Sequence, residues 1–481
     1  MTMRTLFSVG MLVTVGMLAG RVLGLLREAL VAAHFGVGLD ADMAIGLLII
    51  PDFVTALLVG SAASATLVPA FATRTAQEAS FLFFQALVAS IVLASVAGVL
   101  IFWQMSNMQP AMTFALGMAL AALPMSAANA VLVAWLQHKN CLRVPAFSNA
   151  IFNAVIVLGL WILVSGINEL GVVIFFATAT RLTAHVIAGF RAGGLMVISG
   201  MSWRLPRDVL KNYISTVSTG FFSIVPQYAP YAVLAASASS IALFNYAFKL
   251  VMLPAMVLAT IIQMVLLQWF VKLHKESSLK NTTPLVMQLG CVISLAMTLC
   301  ISLASPYIAM ICFAYGEMSV GDVQAVADLL SIGIWALPGM VMGYIWQQFY
   351  FAQKLTRAPL ILSIAQALCM LPALWIGQEM SGVSGVMVAL VAVQAMPILW
   401  YEILAMRQRL VTQFTLSATG MYMVAALLAA YMPLAWLYRH TTFTPVFGFL
   451  VAVVMGGVLL AIAITPNTLC RRWILTHMKT L

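Results

Sequence analysis

Four cationic side chains lie inside long apolar stretches of the sequence: Arg21, Arg27, Arg181 and Lys249. A charge in an apolar environment is costly unless a counter-charge or hydrogen bonds compensate it. The guanidinium group of arginine presents a planar fork of donors that matches phosphate oxygens. Cations from several segments, with too few acids to pair them all, indicate a site for an anionic ligand. A diphosphate would explain this arrangement.

Acids close in sequence allow a structural interpretation for two of these cations. Glu28 follows Arg27 directly and lies about two turns after Arg21, on nearly the same helical face. Either arginine could therefore form an ion pair with Glu28, and Arg27 could also extend its charged end towards the membrane surface. Arg181 is followed one turn later by His185, and neither Arg181 nor Lys249 has an acid nearby in the sequence.

The composition excludes a soluble protein. Of 481 residues, 63% are hydrophobic and 7% are charged, and the mean hydropathy is +1.06. A soluble domain has about 25% charged residues. The net charge of +10 is spread in small groups between apolar runs, which is typical of topology determinants and not of a nucleic-acid surface. We therefore expect an integral membrane protein surrounded by membrane lipids, with no nucleic acid as a partner.

The apolar runs predict an all-α polytopic membrane protein with about fourteen transmembrane helices, since each span needs about 20 apolar residues. With the N-terminus in the cytoplasm, lysine and arginine concentrate in the even-numbered loops and the termini. The odd-numbered loops hold a single cation, Arg439. This asymmetry predicts that both termini are cytoplasmic. The predicted spans are 6–33, 41–70, 80–103, 111–137, 143–166, 169–193, 208–233, 238–271, 283–313, 322–352, 358–378, 382–406, 413–438 and 445–465.

The longest cationic loop, around 191–211, follows the sixth span. It divides the first twelve spans into two sets of six and leaves two spans over, which is a common plan of transporters. We therefore predict an N-terminal six-helix lobe at 1–200 and a C-terminal six-helix lobe at 201–410. Helices 13 and 14 with a cytoplasmic tail occupy 411–481.

Several segments resemble the MurJ/MviN family of lipid II flippases. The run Gly20-Arg21-Val22-Leu23-Gly24-Leu25-Leu26-Arg27-Glu28 is similar to the signature of the family's first helix. The run Tyr246-Ala247-Phe248-Lys249-Leu250, with Pro254 after it, is similar to a motif in helix 8. The resemblance continues, in the family's order, at Phe35-Gly36-Val37-Gly38, Asp42, Pro51, Ser64, Val68-Pro69, Tyr315-Gly316-Glu317-Met318, Phe349-Tyr350, Lys354, Thr356 and Pro359.

The resemblance implies a fold and a function. The fold is that of the MOP exporters, in which two six-helix lobes form a V-shaped central cavity and two further helices make a lipid-facing groove. The function is to flip an undecaprenyl-diphosphate-linked glycan, a lipid II-like precursor of peptidoglycan, across the bacterial inner membrane by alternating access. By position, Arg21, Arg27 and Lys249 match the family's essential cations, and Asp42 matches an acid near the outer gate. Arg181 is an additional cation, and Glu28 is an ion-pair candidate.

Departures from the family pattern keep other functions open. Family members carry an arginine pair and a glutamate in helix 2, where this chain has Thr55, Ala56 and Gly60. A flippase for an exopolysaccharide or another lipid-linked oligosaccharide is therefore the main alternative, and a non-transporting scaffold is another. A cation-coupled multidrug exporter would need acids within the membrane, and a membrane glycosyl or polyprenyl transferase would need an acid cluster, which the sequence does not show.

The sequence predicts no enzyme, no cofactor and no metal site. No Gly-rich loop precedes a Lys-Ser or Lys-Thr pair, so a built-in ATPase is not indicated. The energy for transport would then come from the membrane potential, an ion gradient or consumption of the substrate. We expect a monomer.

Overall fold

The computed structural model describes residues 3–58, 60–106, 112–192, 206–235, 237, 240–275, 279–411, 418–441 and 443–464. Within these ranges the regular structure is helical, without strands. Together with the apolar character of the helices, this confirms the prediction of an all-α polytopic membrane protein. The helices of the N-terminal half are α1 Met3–Phe35, α2 Leu39–Leu58, α3 Gly60–Ala72, α4 Ala76–Ser106, α5 Thr113–Ala121, α6 Leu123–His138, α7 Arg143–Ile162, α8 Ile167–Arg191 and α9 Arg207–Leu234.

The C-terminal half also consists of helices. A short π-helical segment, Ile262–Leu266, joins its first two helices, and a bend of 42° separates its fourth and fifth. The helices are α10 Ser240–Ile261, α11 Leu267–Lys275, α12 Leu279–Phe313, α13 Val320–Gly333, α14 Ala336–Ala352, α15 Arg357–Arg407, α16 Ala418–Arg439 and α17 Pro445–Ile464.

The number of membrane spans remains a prediction. Among the described residues, nine helical segments are long and apolar enough to cross a bilayer, and the bent pair α13–α14 makes ten. Four of the predicted spans each correspond to two helices. The span at 41–70 covers most of α2 and α3, and the span at 111–137 covers α5 and α6. The span at 238–271 covers α10 and part of α11, and the span at 322–352 covers most of α13 and α14. Pro124 lies in the first turn of α6, where its missing N–H is tolerated.

Within α15, two helical segments follow each other and correspond to the predicted spans at 358–378 and 382–406. The break between them is at Ser381 and Gly382, and Gly382 has φ +58° and ψ −135°. Only glycine adopts this combination without strain. The break lets the chain turn back on itself, because Gly377 and Gly385 lie in direct backbone contact on either side of it.

Replacing Gly382 by alanine is expected to lower the free energy of unfolding by about 1–3 kcal/mol. A Cβ at this position would meet no atom within 4 Å, so the cost comes from the backbone alone. Thermal unfolding in detergent micelles measures it. Gly457→Ala in α17, where a Cβ also meets nothing within 4 Å, is the matched control. Equal stability of the two variants would contradict the assignment of strain to Gly382.

The chain forms two compact units. The first contains residues 1–228 and the short segment Tyr315–Glu317, and the second contains 229–314 and 318–481. The predicted lobe boundaries at 200 and 410 remain predictions, and residue 200 lies outside the described residues. Tyr315–Glu317 belongs to the first unit because the Glu317 N–H donates to the carbonyl oxygen of Ala33 over 2.9 Å. Gly316, with φ +61°, allows this contact, since a Cβ there would collide with the Ala33 carbonyl.

In the first unit, α7 packs between α1 and α8, and α8 also contacts α2, α5 and α6. In the second unit, α12 is central and contacts α13, α14, α16 and α17. The apolar side of α12 that faces α16 and α17 is closed by two clusters, one around Ala296 and Leu427 and one around Ala304 and Tyr438. Helix pairs of this kind rely on close packing, because lipid supplies no hydrophobic driving force between them.

Candidate cationic site of the first unit

The middle of α7 connects two of the predicted cations. Its two central residues, Phe152 and Asn153, contact different neighbours. Asn153 accepts a hydrogen bond from Arg27 of α1, and Phe152 lies against the guanidinium group of Arg181 of α8. Arg27 and Arg181 therefore lie at the same level of the first unit, on two sides of one helix.

Both terminal nitrogens of Arg27 donate hydrogen bonds. Its Nη2 donates to Glu28 Oε1 over 2.6 Å, and its Nη1 donates to Asn153 Oδ1 over 3.0 Å. Asn153 in turn donates through Nδ2 to the carbonyl oxygen of Gly20 over 2.9 Å. Arg27 and Glu28 are 7% and 2% exposed. The two hydrogen bonds of Asn153 join α1 to α7, and Glu28 supplies the counter-charge of Arg27 within α1.

A row of glycines on α1 brings the two helices close enough for these bonds. Gly16, Gly20 and Gly24 recur every fourth residue and face α7. A Cβ on Gly16 would lie 2.5 Å from the carbonyl oxygen of Ala146, and one on Gly20 would lie 3.1 Å from the Cβ of Asn149. Small residues at this spacing allow two membrane helices to approach through their backbones. The glycines of the first-helix signature thus position Arg27 beside Asn153.

The side chain of Arg181 makes one hydrogen bond and one contact with an aromatic ring among the described residues. Its Nη2 donates to Ser126 Oγ of α6 over 3.1 Å, and its Cζ lies 4.6 Å from the centre of the Phe152 ring. The attraction of a cation to an aromatic face stabilises the charge. Its Nε is buried and has no hydrogen-bond partner among the described residues. Arg181 therefore keeps a donor for a further acceptor.

An acid from a distant part of the sequence acts on this arginine. Asp52, on α2, interacts electrostatically with Arg181 and with Tyr228. Asp52 itself is exposed in the first unit. This partner is not apparent from the residues next to Arg181 in the sequence, because α2 and α8 meet only in the folded chain.

The remaining candidates occupy different positions. Arg21 is half-buried and follows Gly20, whose carbonyl accepts from Asn153, so its backbone also lies beside the middle of α7. Asp42 is 8% exposed and lies in the first turn of α2, where a negative charge is favourable. Lys249 belongs to the second unit. It is half-buried on α10, next to Phe248, which stacks on Phe244 at 5.2 Å.

Arg181 is the cation of this group that has an open donor. Arg27 has Glu28 as its counter-charge, and Asp52 acts on Arg181, but Arg181 Nε is buried without a hydrogen-bond partner in the described ranges. A buried cationic donor in an apolar surrounding favours an anionic ligand. The described residues contain no group of three or more histidine, cysteine or acidic side chains that could hold a metal ion.

Known proteins resemble this chain in sequence and fold. Residues 31–456 match the family described as lipid II flippase MurJ. No curated protein matches the sequence at a significant level. The fold is similar to a solved lipid II flippase MurJ in an inward closed conformation, with a TM-score of 0.81 and 16% identity, covering 94% of this chain and 98% of that one.

More distant structures share the fold. A multidrug resistance MATE family transporter of the MOP superfamily, in an inward-facing conformation, gives a TM-score of 0.64 at 14% identity and covers 81% of this chain and 94% of that one. A MOP superfamily transporter from Pyrococcus furiosus gives 0.57 at 17% identity, covering 84% and 94%.

Proposed function

This chain belongs to the MurJ family of lipid II flippases, and from that membership we propose that it flips an undecaprenyl-diphosphate-linked glycan precursor, lipid II-like and destined for peptidoglycan. The family consists of transporters and not of enzymes. In the proposal the cargo moves from the inner to the outer leaflet of the bacterial inner membrane by alternating access. The protein works as a monomer with both termini in the cytoplasm, driven by the membrane potential or an ion gradient.

The observation that supports this proposal best is the open donor of Arg181 beside the middle of α7. Arg181 contributes a buried Nε with no hydrogen-bond partner in the described ranges, while its other contacts, to Ser126 and Phe152, are uncharged. An oxygen of a diphosphate would supply the missing acceptor. Hydrogen bonds between arginine and phosphate are short and strong because both partners are charged.

The proposal gives the candidate residues different roles. Arg21 and Arg181 bind the diphosphate directly. Arg27, whose contacts are to Glu28 and Asn153, first positions α1 and contributes to the positive field, and it binds the headgroup when the cargo competes with Glu28. Lys249 is assigned to the same ligand by its place in the helix-8 motif, and Asp42 is assigned to gating.

A second cargo remains open because of helix 2. Thr55 and Ala56 are half-buried on α2, where relatives carry an arginine pair, so fewer cations are available for the sugar-diphosphate group. An exopolysaccharide or another lipid-linked oligosaccharide is the alternative cargo. The multidrug exporter is disfavoured despite the shared fold, because a cationic drug would be repelled by the buried Arg181, whose Nε offers a donor and not an acceptor.

Alanine at Arg21 or at Lys249 is expected to abolish growth of a strain depleted of its own lipid II flippase, because each variant removes a proposed ligand of the diphosphate. Arg74→Ala is the control. Arg74 is an arginine of the same unit whose Nη2 donates to Asp208 over 2.9 Å, with 63% of the Asp208 side chain exposed. A surface pair of this kind contributes about 0–1 kcal/mol, so this variant should complement fully.

Membrane levels of all three variants are compared with the wild type, so that loss of growth is separated from loss of protein. Full complementation by both Arg21→Ala and Lys249→Ala would contradict the diphosphate site. Failure of the wild type itself, with normal membrane levels, would instead point to the alternative cargo.

A further inference from the structure

His185 is completely buried in the first unit, with 0% of its surface exposed. It lies one turn after Arg181 on α8, and its Nδ1 is 2.8 Å from the carbonyl oxygen of Arg181. A carbonyl oxygen only accepts, so Nδ1 carries the hydrogen and donates it. In the neutral ring, Nε2 is then an acceptor with a lone pair. This atom is buried and has no hydrogen-bond partner in the described parts of the chain.

The packing of α5 and α6 along α8 shows which residues lie at the level of His185. A Cβ on Gly171 would lie 2.6 Å from the Cα of Ala115, 56 positions earlier in the sequence (171 minus 115). Arg181 donates to Ser126, 55 positions earlier. The nearly constant offset means that these helices run in the same direction, and it places Asn129 at the level of residues 184 and 185. Asn129 is 7% exposed, and its Oδ1 also lacks a hydrogen-bond partner among the described residues.

Two acceptors thus occupy the same level of a buried interface. Nε2 of the neutral His185 and Oδ1 of Asn129 each need a donor, and neither can supply one to the other. Leaving buried polar atoms in this condition costs free energy. A proton on Nε2 would turn the first acceptor into a donor and remove one of the two unsatisfied acceptors.

The charged groups around this position are few. Arg181 acts electrostatically on His185, and Asp52 of α2 acts on Arg181. The helices packed against α8 are α2, α5, α6 and α7, and α5 has no ionisable side chain. The other ionisable side chains of these helices and of α8 lie at helix ends: Asp40, Asp42, His138, Arg143, Glu169 and Arg191.

We propose that Nε2 of His185 is a proton-binding site that takes up a proton when the anionic headgroup binds at Arg181. The proton comes from a hydronium ion, forms the N–H bond at Nε2 and leaves water behind; no other bond changes. A protonated His185 places a second positive charge one turn from Arg181, on the same face of α8. The anion at Arg181 offsets the repulsion between them, so each ligand favours the binding of the other, and this linkage is reciprocal. The inference rests on the proposed function, because it needs a diphosphate at Arg181.

Calorimetric titration with farnesyl diphosphate, a short polyprenyl diphosphate, measures this coupling. Binding enthalpies of the full-length protein in micelles are compared across buffers of different ionisation enthalpy, which gives the number of protons taken up per ligand. Between about pH 5 and 8, where imidazole titrates, the wild type should take up a fraction of a proton that rises to at most about one. His185→Gln, which is polar but does not bind a proton in this range, should lose this fraction while still binding the diphosphate.

His34→Gln is the matched control. His34 makes the same contact through Nδ1, 2.9 Å from the carbonyl oxygen of Leu30, but it is exposed, so proton uptake should stay at the wild-type value. Protonation of the diphosphate itself is common to all variants and cancels in the comparison. Equal uptake by the wild type and His185→Gln, or no uptake by the wild type at any pH, would overturn the proton site and leave the proposed function standing. No binding of farnesyl diphosphate to the wild type would overturn both.

Discussion

Glutamine in place of Glu28 is expected to lower the free energy of unfolding by about 3–5 kcal/mol, the cost of removing one member of a buried ion pair. The substitution keeps the shape of the side chain and removes its charge. Arg27, 7% exposed, would keep its bond to Asn153 but lose its counter-charge. Unfolding in mixed micelles, followed by circular dichroism, measures the difference.

A double variant distinguishes the loss of one charge of the pair from the loss of both charges. Arg27→Met together with Glu28→Met replaces both charges by apolar groups of similar length, and such replacements are often neutral or stabilising. The double variant should therefore be more stable than Glu28→Gln, although it loses a proposed ligand. If Glu28→Gln unfolded like the wild type, or if the double variant were the less stable of the two, the charge of Glu28 would not be needed to compensate the buried Arg27.

Alanine in place of Gly16 is expected to lower the free energy of unfolding by about 1–3 kcal/mol, because an added methyl group in a filled interface forces the backbones apart. Its Cβ would lie 2.5 Å from the carbonyl oxygen of Ala146 on α7. Neither backbone can yield without moving a whole helix. Since Gly20 and Gly24 face the same helix, the displacement also lengthens the bond between Arg27 and Asn153. The same unfolding measurement in micelles tests this.

Gly46→Ala on α2 is the matched control, since a Cβ there would have no atom within 4 Å. Alanine is favoured over glycine inside a helix by about 1 kcal/mol, so this variant should equal or exceed the wild type in stability. A Gly16→Ala protein as stable as Gly46→Ala would show that the α1–α7 contact is looser than the structure has it.

The sequence was informative about which charges matter because their cost is local. Arg21, Arg27 and Arg181 each stand in an apolar run, and that environment is visible without a fold. Their partners were not predictable in the same way. Ser126, Phe152 and Asn153 are ordinary residues of apolar helices, and they become partners only because α6, α7 and α8 meet. Asp52 was visible as an acid in an apolar run, but its relation to Arg181 depends on the same packing.

The helical fold class followed from composition and the length of apolar runs. The points at which the helices begin, end and break were harder to predict from the sequence. Pro124 lies at the start of α6, where α6 is separated from α5. Pro254, in contrast, lies inside α10, and the helix continues past it. The residue type alone does not decide between these outcomes, because neighbouring helices can satisfy the freed carbonyl. The break in α15 is at Gly382, the first residue of a predicted span, but the sequence predicts neither its dihedral angles nor the close contact of Gly377 with Gly385.

The proposed binding of a diphosphate at Arg181 also bears on the choice of cargo. A diphosphate is common to lipid II and to other lipid-linked glycans, so its binding does not distinguish them. In the proposed function, discrimination comes from contacts to the sugar and peptide parts of the lipid. The cargo can therefore be identified from the mass of the lipid that the protein binds.

Native mass spectrometry of the protein purified with its membrane lipids tests the central claim most directly, namely that cations at the centre of α7 bind a lipid diphosphate. The wild type should carry a lipid whose mass equals that of a polyprenyl diphosphate joined to a glycan, and the glycan mass identifies the cargo. Arg181→Gln should reduce its occupancy about 10- to 100-fold, since a hydrogen bond to a charged group contributes about 1.5–3 kcal/mol. Arg74→Gln should leave it unchanged. A wild type without such a lipid, or equal occupancy in Arg181→Gln, would contradict the account.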